Sequence, residues 1–212
     1  MPCRRDDGPI PPALPSTSLR AGWHHGRVTR LDETTIRVRR PALEDAARLG
    51  AINSATWRHA YADIVPADYL ERFTPELATR RWQRNLAEPR PGVTYLVAEV
   101  GGVLSSYAVM GDYRTQEDAV DDEDTRGWGE IYAIYTHPDQ QGRGSGAALH
   151  DAALAELRER GCTTGALWVL AANDASRRWY TGRGWQPDGA TSRWDGAGEP
   201  LDEVRLVRDL GS

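Results

Sequence analysis

A glycine triplet between two apolar runs restricts this chain more than any other feature. Residues 137–150 read HPDQQGRGSGAALH, with Gly142, Gly144 and Gly146 at alternate positions. The run before it, EIYAIYT (130–136), is apolar nearly throughout, as in a strand covered on both faces. The run after it sets Leu149, Ala153 and Leu157 four apart, which predicts a helix over 147–160 stopped by Gly161. Strand, glycine loop and helix in that order make an anion cradle. Glycines without a Cβ let backbone N–H groups come close to an anion. A helix starting near Gly144 adds the partial positive charge of its N-terminus, and Arg143 can add a charged contact. A turn that only joined strand to helix would not need so many glycines.

Composition narrows whose phosphate the loop holds. All 26 basic residues are arginine, and the chain has no lysine. A Walker A loop needs its lysine to reach the β- and γ-phosphates, and a Schiff-base enzyme needs a lysine amine; both are excluded. The dinucleotide fingerprint G-x-G-x-x-G/A can be laid on Gly142, Gly144 and Ala147. It should then meet an acid about 20 residues later, to hold a ribose. That region reads GCTTGALWVL and has none. The loop also follows an antiparallel hairpin rather than opening a βαβ unit, which further weakens that reading.

The hairpin is VTYLVAEV (93–100), Gly101-Gly102 and VLSSYAVMG (103–111), a strong turn signal between apolar runs. Upstream, Ile36 and Val38 alternate with polar residues in a short strand (34–40). Pro41, Glu44 and Asp45 open a helix that continues through ARLGAINSATWRHAY. IVPADYLER (64–72) predicts a second helix with proline in its first turn, and 75–86 a third. DYRTQEDAVDDEDTRG (112–127) reads as an acidic, solvated loop. GALWVL (165–170) is a strand, Asn173 an N-cap for the next helix, and EVRLVRDL (203–210) a last strand. Together these predict an α/β domain over 34–212, with a mixed sheet of six to seven strands flanked by helices. Residues 1–33 are Pro-, Arg- and Gly-rich without periodicity and are expected to be a flexible extension; its His24-His25 pair reads as exposed.

Several function classes drop out. A net charge of −5 gives no basic footprint for nucleic acid. No apolar run approaches the roughly 20 residues needed to cross a bilayer, and the prolines of 1–20 are unlike a signal peptide. Cys3 and Cys162, with scattered histidines, give neither a framework disulfide nor a metal spacing. A reducing cytoplasm fits best.

A second template competes with the dinucleotide fingerprint: Q/R-x-x-G-x-G/A, met here by Gln141, Gly144 and Gly146. After one helix and one strand, LWVLAANDASRRWYTGRGW adds a strand, an Asn, an aromatic-Tyr pair and a Gly-aromatic pair. ATWRHAYADIVPADYL stands where substrate-side helices would be. In these three phrases the chain resembles the GNAT superfamily of N-acetyltransferases, over roughly residues 35–209. The resemblance implies the GNAT fold, acetyl-CoA as cofactor and direct attack by an amine on the acetyl carbonyl. It implies that backbone groups of Ile134, Tyr135 and Thr136 pair with pantetheine, and that Gln141, Gly142, Arg143, Gly144, Ser145 and Gly146 hold the pyrophosphate. It places Asn173 on the pantetheine arm and Tyr180 near the sulfur. Glu130 stands where some members carry a general base. Ser145 and Thr136 replace the more usual aliphatic residues without removing a backbone donor. His59 and His137 are alternative bases.

No metal is expected. Trp57, Tyr61 and Trp128 are candidate walls for the acceptor, read as a small-molecule amine; a homodimer is compatible. A protein or peptide amine, or a non-catalytic acyl-CoA-binding module on the same fold, stays open as an alternative. The eight tryptophans could equally be packing.

Overall fold

The computed structural model describes residues 35–115, 124–196 and 200–211. The expected N-terminal extension lies outside the described residues, as does the middle of the acid-rich segment, at 116–123.

One seven-stranded mixed sheet organises the chain, in the order β1-β2-β3-β4-β5-β7-β6. β1 (Ile36–Arg39) is an edge strand, antiparallel to β2 (Val93–Val100). β2 pairs through the Gly101-Gly102 turn with β3 (Val103–Asp112), and both glycines adopt positive φ. β4 (Trp128–Thr136) lies antiparallel to β3 and is buried along almost its whole length. Among the described residues the one parallel pairing joins β4 to β5 (Thr164–Leu170). β7 (Leu201–Asp209) then pairs with β5, and β6 (Gln186–Trp194) closes the far edge.

The sequence reading assigned no strand at β6, because Pro187 and Gly189 interrupt it. An edge tolerates both, since one side of the strand needs no ladder hydrogen bonds. The β6–β7 register shifts between Pro187 and Thr191, where the two residues sit.

Helices cover both faces. α1 (Ala46–Ala60) follows a 3-10 turn at Leu43–Asp45 and packs against α3 (Pro75–Ala87). The Thr74 hydroxyl caps α3 by accepting from Leu77 N–H, with Pro75 in the first turn. α2 (Ala67–Leu70) is shorter than the 64–72 expected, because Pro66 stands outside the helix as its N-cap. On this face an aromatic-rich core joins Leu49, Ile52, Trp57, Tyr61, Trp82, Tyr107 and Tyr135. The opposite face carries α4 (Ser145–Glu159) and α5 (Asp174–Thr181), packed through Leu149, Ala153, Leu157, Trp179, Tyr180 and Trp185.

Candidate active site

The sheet opens at its centre. The β4–β5 ladder pairs Trp128 with Thr164, Gly129 with Gly165 and Glu130 with Ala166, and stops there. β4 runs on to Thr136 and β5 to Leu170. On its other side β4 stays paired to β3, but with a register shift at Val109/Met110 that leaves Tyr132 as an extra residue. Such a bulge bends a strand and raises its local twist. It also changes which side chains point where: Ile131 and Ile134 join the α4 face, whereas Tyr132 and Tyr135 join the α1 face. Ile134, Tyr135 and Thr136 therefore have strand partners only on β3, in Ala108, Tyr107 and Ser106. The Thr136 carbonyl also accepts from the Thr56 hydroxyl at 3.1 Å.

The glycine loop closes one end of this cleft. After a 3-10 turn at Pro138–Gln140, Gly142 and Gly144 take φ of 77° and 88°. That is left-handed backbone that a Cβ disfavours. Gly144 is the N-cap of α4, so the helix begins at Ser145, two residues earlier than expected. Ser145 and Gly146 are buried, and Arg143 is exposed beside them.

Buried polar atoms without a partner are rare in folded proteins, yet four border this loop and cleft. They are Gln141 Nε2, Ser145 Oγ, Asn173 Nδ2 and Ser176 Oγ. Asn173 caps α5, its Oδ1 accepting from Ser176 N–H at 3.0 Å. Its amide nitrogen is left over as a donor. A loop rich in backbone donors, an open strand edge and unsatisfied amides fit an elongated ligand with an anionic end and amide groups. Neither Ser176 nor Thr56 carried a sequence signal; both are ordinary hydroxyls until the fold places them.

Tyr180 is 1% exposed and sits edge-on to Trp179 and Trp185, with ring centroids 4.9 and 5.8 Å away. It lies within electrostatic reach of Tyr61 and Tyr135, whose hydroxyls are hydrogen-bonded to each other. Burial pushes the pKa values of Tyr61, Tyr107 and Tyr135 above the ordinary phenol value. Desolvation disfavours phenolates, so this cluster holds its protons through the neutral range.

Glu130 is 1% exposed and already engaged. Arg114 Nη2 donates to its Oε1 at 2.6 Å, while Arg114 Nε and backbone N–H reach Oε2 at 3.2 and 2.9 Å. The guanidinium also lies 3.8 Å over the Tyr132 ring. Burial works against the Arg114 charge, but Glu130 outweighs it and holds the proton more tightly than in a free arginine. Nothing in the sequence singled out Arg114, since 16 residues separate the partners.

The three candidate acceptor walls do not converge. Trp57 is a core residue, stacked at 3.9 Å on Phe73 and 1% exposed, and Tyr61 is likewise buried. Trp128 stands apart from them, edge-on to Tyr113 and under the Arg205 guanidinium at 4.8 Å. Of the alternative bases, His59 is exposed on α1. His137 caps the 3-10 turn by accepting from Asp139 N–H at 3.3 Å. Its basicity is lowered, first by burial and then by Arg48. Among the described residues no group of three or more His, Cys, Asp or Glu could hold a metal ion, and no helix is long and apolar enough to cross a membrane.

Comparison with known proteins gives the same architecture. The family model described as Acetyltransferase (GNAT) family matches residues 56–185. An uncharacterized N-acetyltransferase of Bacillus subtilis is 28% identical over 138 residues, which is 65% of this chain and 73% of that one. An uncharacterized N-acetyltransferase of Mycobacterium tuberculosis is 27% identical over 169 residues, covering 79% and 99%. Two solved folds resemble this one. The PaiA N-acetyltransferase of Thermoplasma acidophilum in complex with coenzyme A has a TM-score of 0.60 at 17% identity, covering 82% of this chain and 99% of that one. A putative acetyltransferase of Salmonella typhimurium with acetyl-CoA has a TM-score of 0.61 at 22% identity, covering 84% and 95%. With a family match spanning more than half its length, the chain belongs to the GNAT family of acetyltransferases.

Proposed function

We propose that this protein transfers the acetyl group of acetyl-CoA to a primary amine of a small molecule, by direct attack with both substrates bound. The observation that carries the reading is the open β4 edge, bordered by the unpartnered Asn173 Nδ2, Gln141 Nε2 and Ser145 Oγ. A strand edge that pairs with an extended ligand is recognition by β-augmentation. Here Ile134–Thr136 would supply main-chain partners and Gly142–Gly146 the anion-binding N–H groups.

Acetyl-CoA, when bound, supplies an activated acyl carbon and a leaving thiol. The chain has to orient that group and move two protons. Asn173 Nδ2 and the edge of β4 orient it. Tyr180, a phenol whose free form has a pKa of about 10, is the donor proposed for the sulfur. The acceptor must arrive as a neutral amine.

A small acceptor is favoured by how the α1–α2 region closes the neighbouring flank. Trp57 and Tyr69 meet Trp194 of β6 at ring separations of 5.9 and 5.6 Å. That aromatic bridge spans from the helices to the far edge strand and supports a bounded pocket over an open peptide groove. The test is an acetyl-CoA turnover screen reading free thiol against small amines and peptides. Release with small amines alone is expected. Release only with peptides would replace the acceptor class, and none with any amine would favour a binding module.

Glu130 serves in this reading as the fixed counter-charge of Arg114, with a base role open to measurement. Glu130→Gln should lower stability by about 1–3 kcal/mol, below the usual cost of breaking a fully buried pair because Arg114 is partly exposed. Thermal unfolding checks it. A rate loss concentrated at low pH would add the base role, and a loss uniform in pH would not.

A further inference from the structure

His150 lies outside the cleft, on the buried side of α4, and is 1% exposed. Its Nε2 accepts a hydrogen bond from Trp185 Nε1 at 2.9 Å. An indole nitrogen can only donate, so Nε2 must be unprotonated. The ring's one proton is then on Nδ1, where it points at Asp151 Oδ1, 3.0 Å away. The adjacent Asp151 and the distant Trp185 thus fix a single tautomer of His150.

The rings around this link lead to the cleft. His150 meets Trp179 and Trp185 edge-on, with centroids 5.6 and 6.2 Å apart. Both tryptophans in turn meet the Tyr180 ring in T-shaped contacts. The Trp185 backbone N–H donates to the Tyr180 carbonyl at 3.2 Å. α4 carries the glycine loop at its N-terminus, and α5 carries Asn173 and Tyr180. The His150–Trp185 bond therefore ties the helix that starts at the anion cradle to the segment just after α5, which is bonded in turn to the Tyr180 carbonyl.

We propose that His150 is a positioning residue for acetyl transfer: in its Nδ1–H form it ties Trp185 to α4 and so seats α5, with Tyr180 and Asn173, against the cofactor cleft. The role in transfer rests on the coenzyme A reading above; the tie itself does not.

The tie is pH-dependent by construction. Protonating Nε2 would set one N–H against another and place a cation among aromatic rings. The charged groups facing the imidazole are Asp151 of α4, Arg183 after α5 and Arg208 of β7. Burial lowers the affinity of His150 for a proton, Asp151 partly opposes this, and the two arginines add to the lowering. The folded chain therefore binds this proton less well than the unfolded chain. The stability the tie gives is complete above the free imidazole value of about 6.5 and is lost as pH falls toward the folded value.

The test uses the full chain. Nitrogen-15 NMR of the His150 ring should show the Nδ1–H tautomer at neutral pH; an Nε2–H tautomer overturns the tie. His150→Gln keeps an acceptor oxygen for Trp185 but cannot titrate, whereas His150→Phe removes the acceptor. Calorimetric affinity for coenzyme A in the parent chain should be constant above the free imidazole value of about 6.5 and fall progressively as pH is lowered below it. It should be nearly flat in His150→Gln and weak throughout in His150→Phe. Parallel pH profiles for parent and His150→Gln would overturn the positioning role. A parent chain that binds no coenzyme A at any pH would refute the coenzyme A reading and the positioning role together, while the tautomer alone still decides the tie.

Discussion

Replacing Gly144 with glutamate is expected to weaken acetyl-CoA binding at least about a thousandfold, a loss of about 4 kcal/mol. Three effects act together. Residue 144 holds a φ of 88°, left-handed backbone that costs a residue with a Cβ about 1–2 kcal/mol. A Cβ there would stand 3.1 Å from Ile36 Cδ1, so β1 would have to give slightly. The larger effect is electrostatic. Gly144 is the N-cap of α4, and a carboxylate there would take up the helix N-terminal donors and repel a pyrophosphate approaching them. Titration calorimetry of the folded variant measures the loss, with circular dichroism confirming that α4 persists. Retained tight binding would mean that the loop does not hold the cofactor's anionic end.

Tyr180→Phe is expected to lower kcat by about a hundredfold or more, the usual scale for a positioned general acid, while the dissociation constant of acetyl-CoA changes little. The substitution keeps the ring that Trp179 and Trp185 grip and removes only the hydroxyl. It therefore separates chemistry from packing more cleanly than an alanine would. A variant with unchanged kcat would make Tyr180 a core aromatic. One that lost kcat and affinity together would point to a disturbed α5. At high pH a thiolate departs with less need of a proton donor, so the deficit should shrink as pH rises.

Local signals in this chain were readable wherever one segment settled its own structure. The Gly101-Gly102 hairpin, the Asn173 cap and the loop before α4 each depend on residues within a few positions, and they stand in the fold where spacing predicts. β6 was not readable, because what makes Pro187 and Gly189 acceptable is that the strand lies at an edge. Edge position belongs to the sheet and not to the segment. Side-chain partners were hidden for the same reason. Arg114 occupies the Glu130 carboxylate and Phe73 stacks on Trp57, and neither partner is announced by the local sequence. The His150–Trp185 bond joins residues 35 positions apart, with no pattern to announce it. Residue types pointed to the chemistry of the cleft, but which groups remain unsatisfied after folding is a property of packing alone.

The short β4–β5 ladder has a mechanical consequence. One sheet runs through the whole domain, but its two leaves, β1–β4 and β5–β7, are stitched by only three residue pairs. Beyond them the interior contains a second pair of strand edges, the kind of surface that usually recruits another chain. Folding it inward hides that surface from other copies of the protein. It also turns the seam into the line along which the domain is softest. A ligand that fills the seam would act as an added strand, so its binding should register as stiffening of the whole sheet: slower amide exchange in both leaves, and a melting temperature that climbs with ligand concentration.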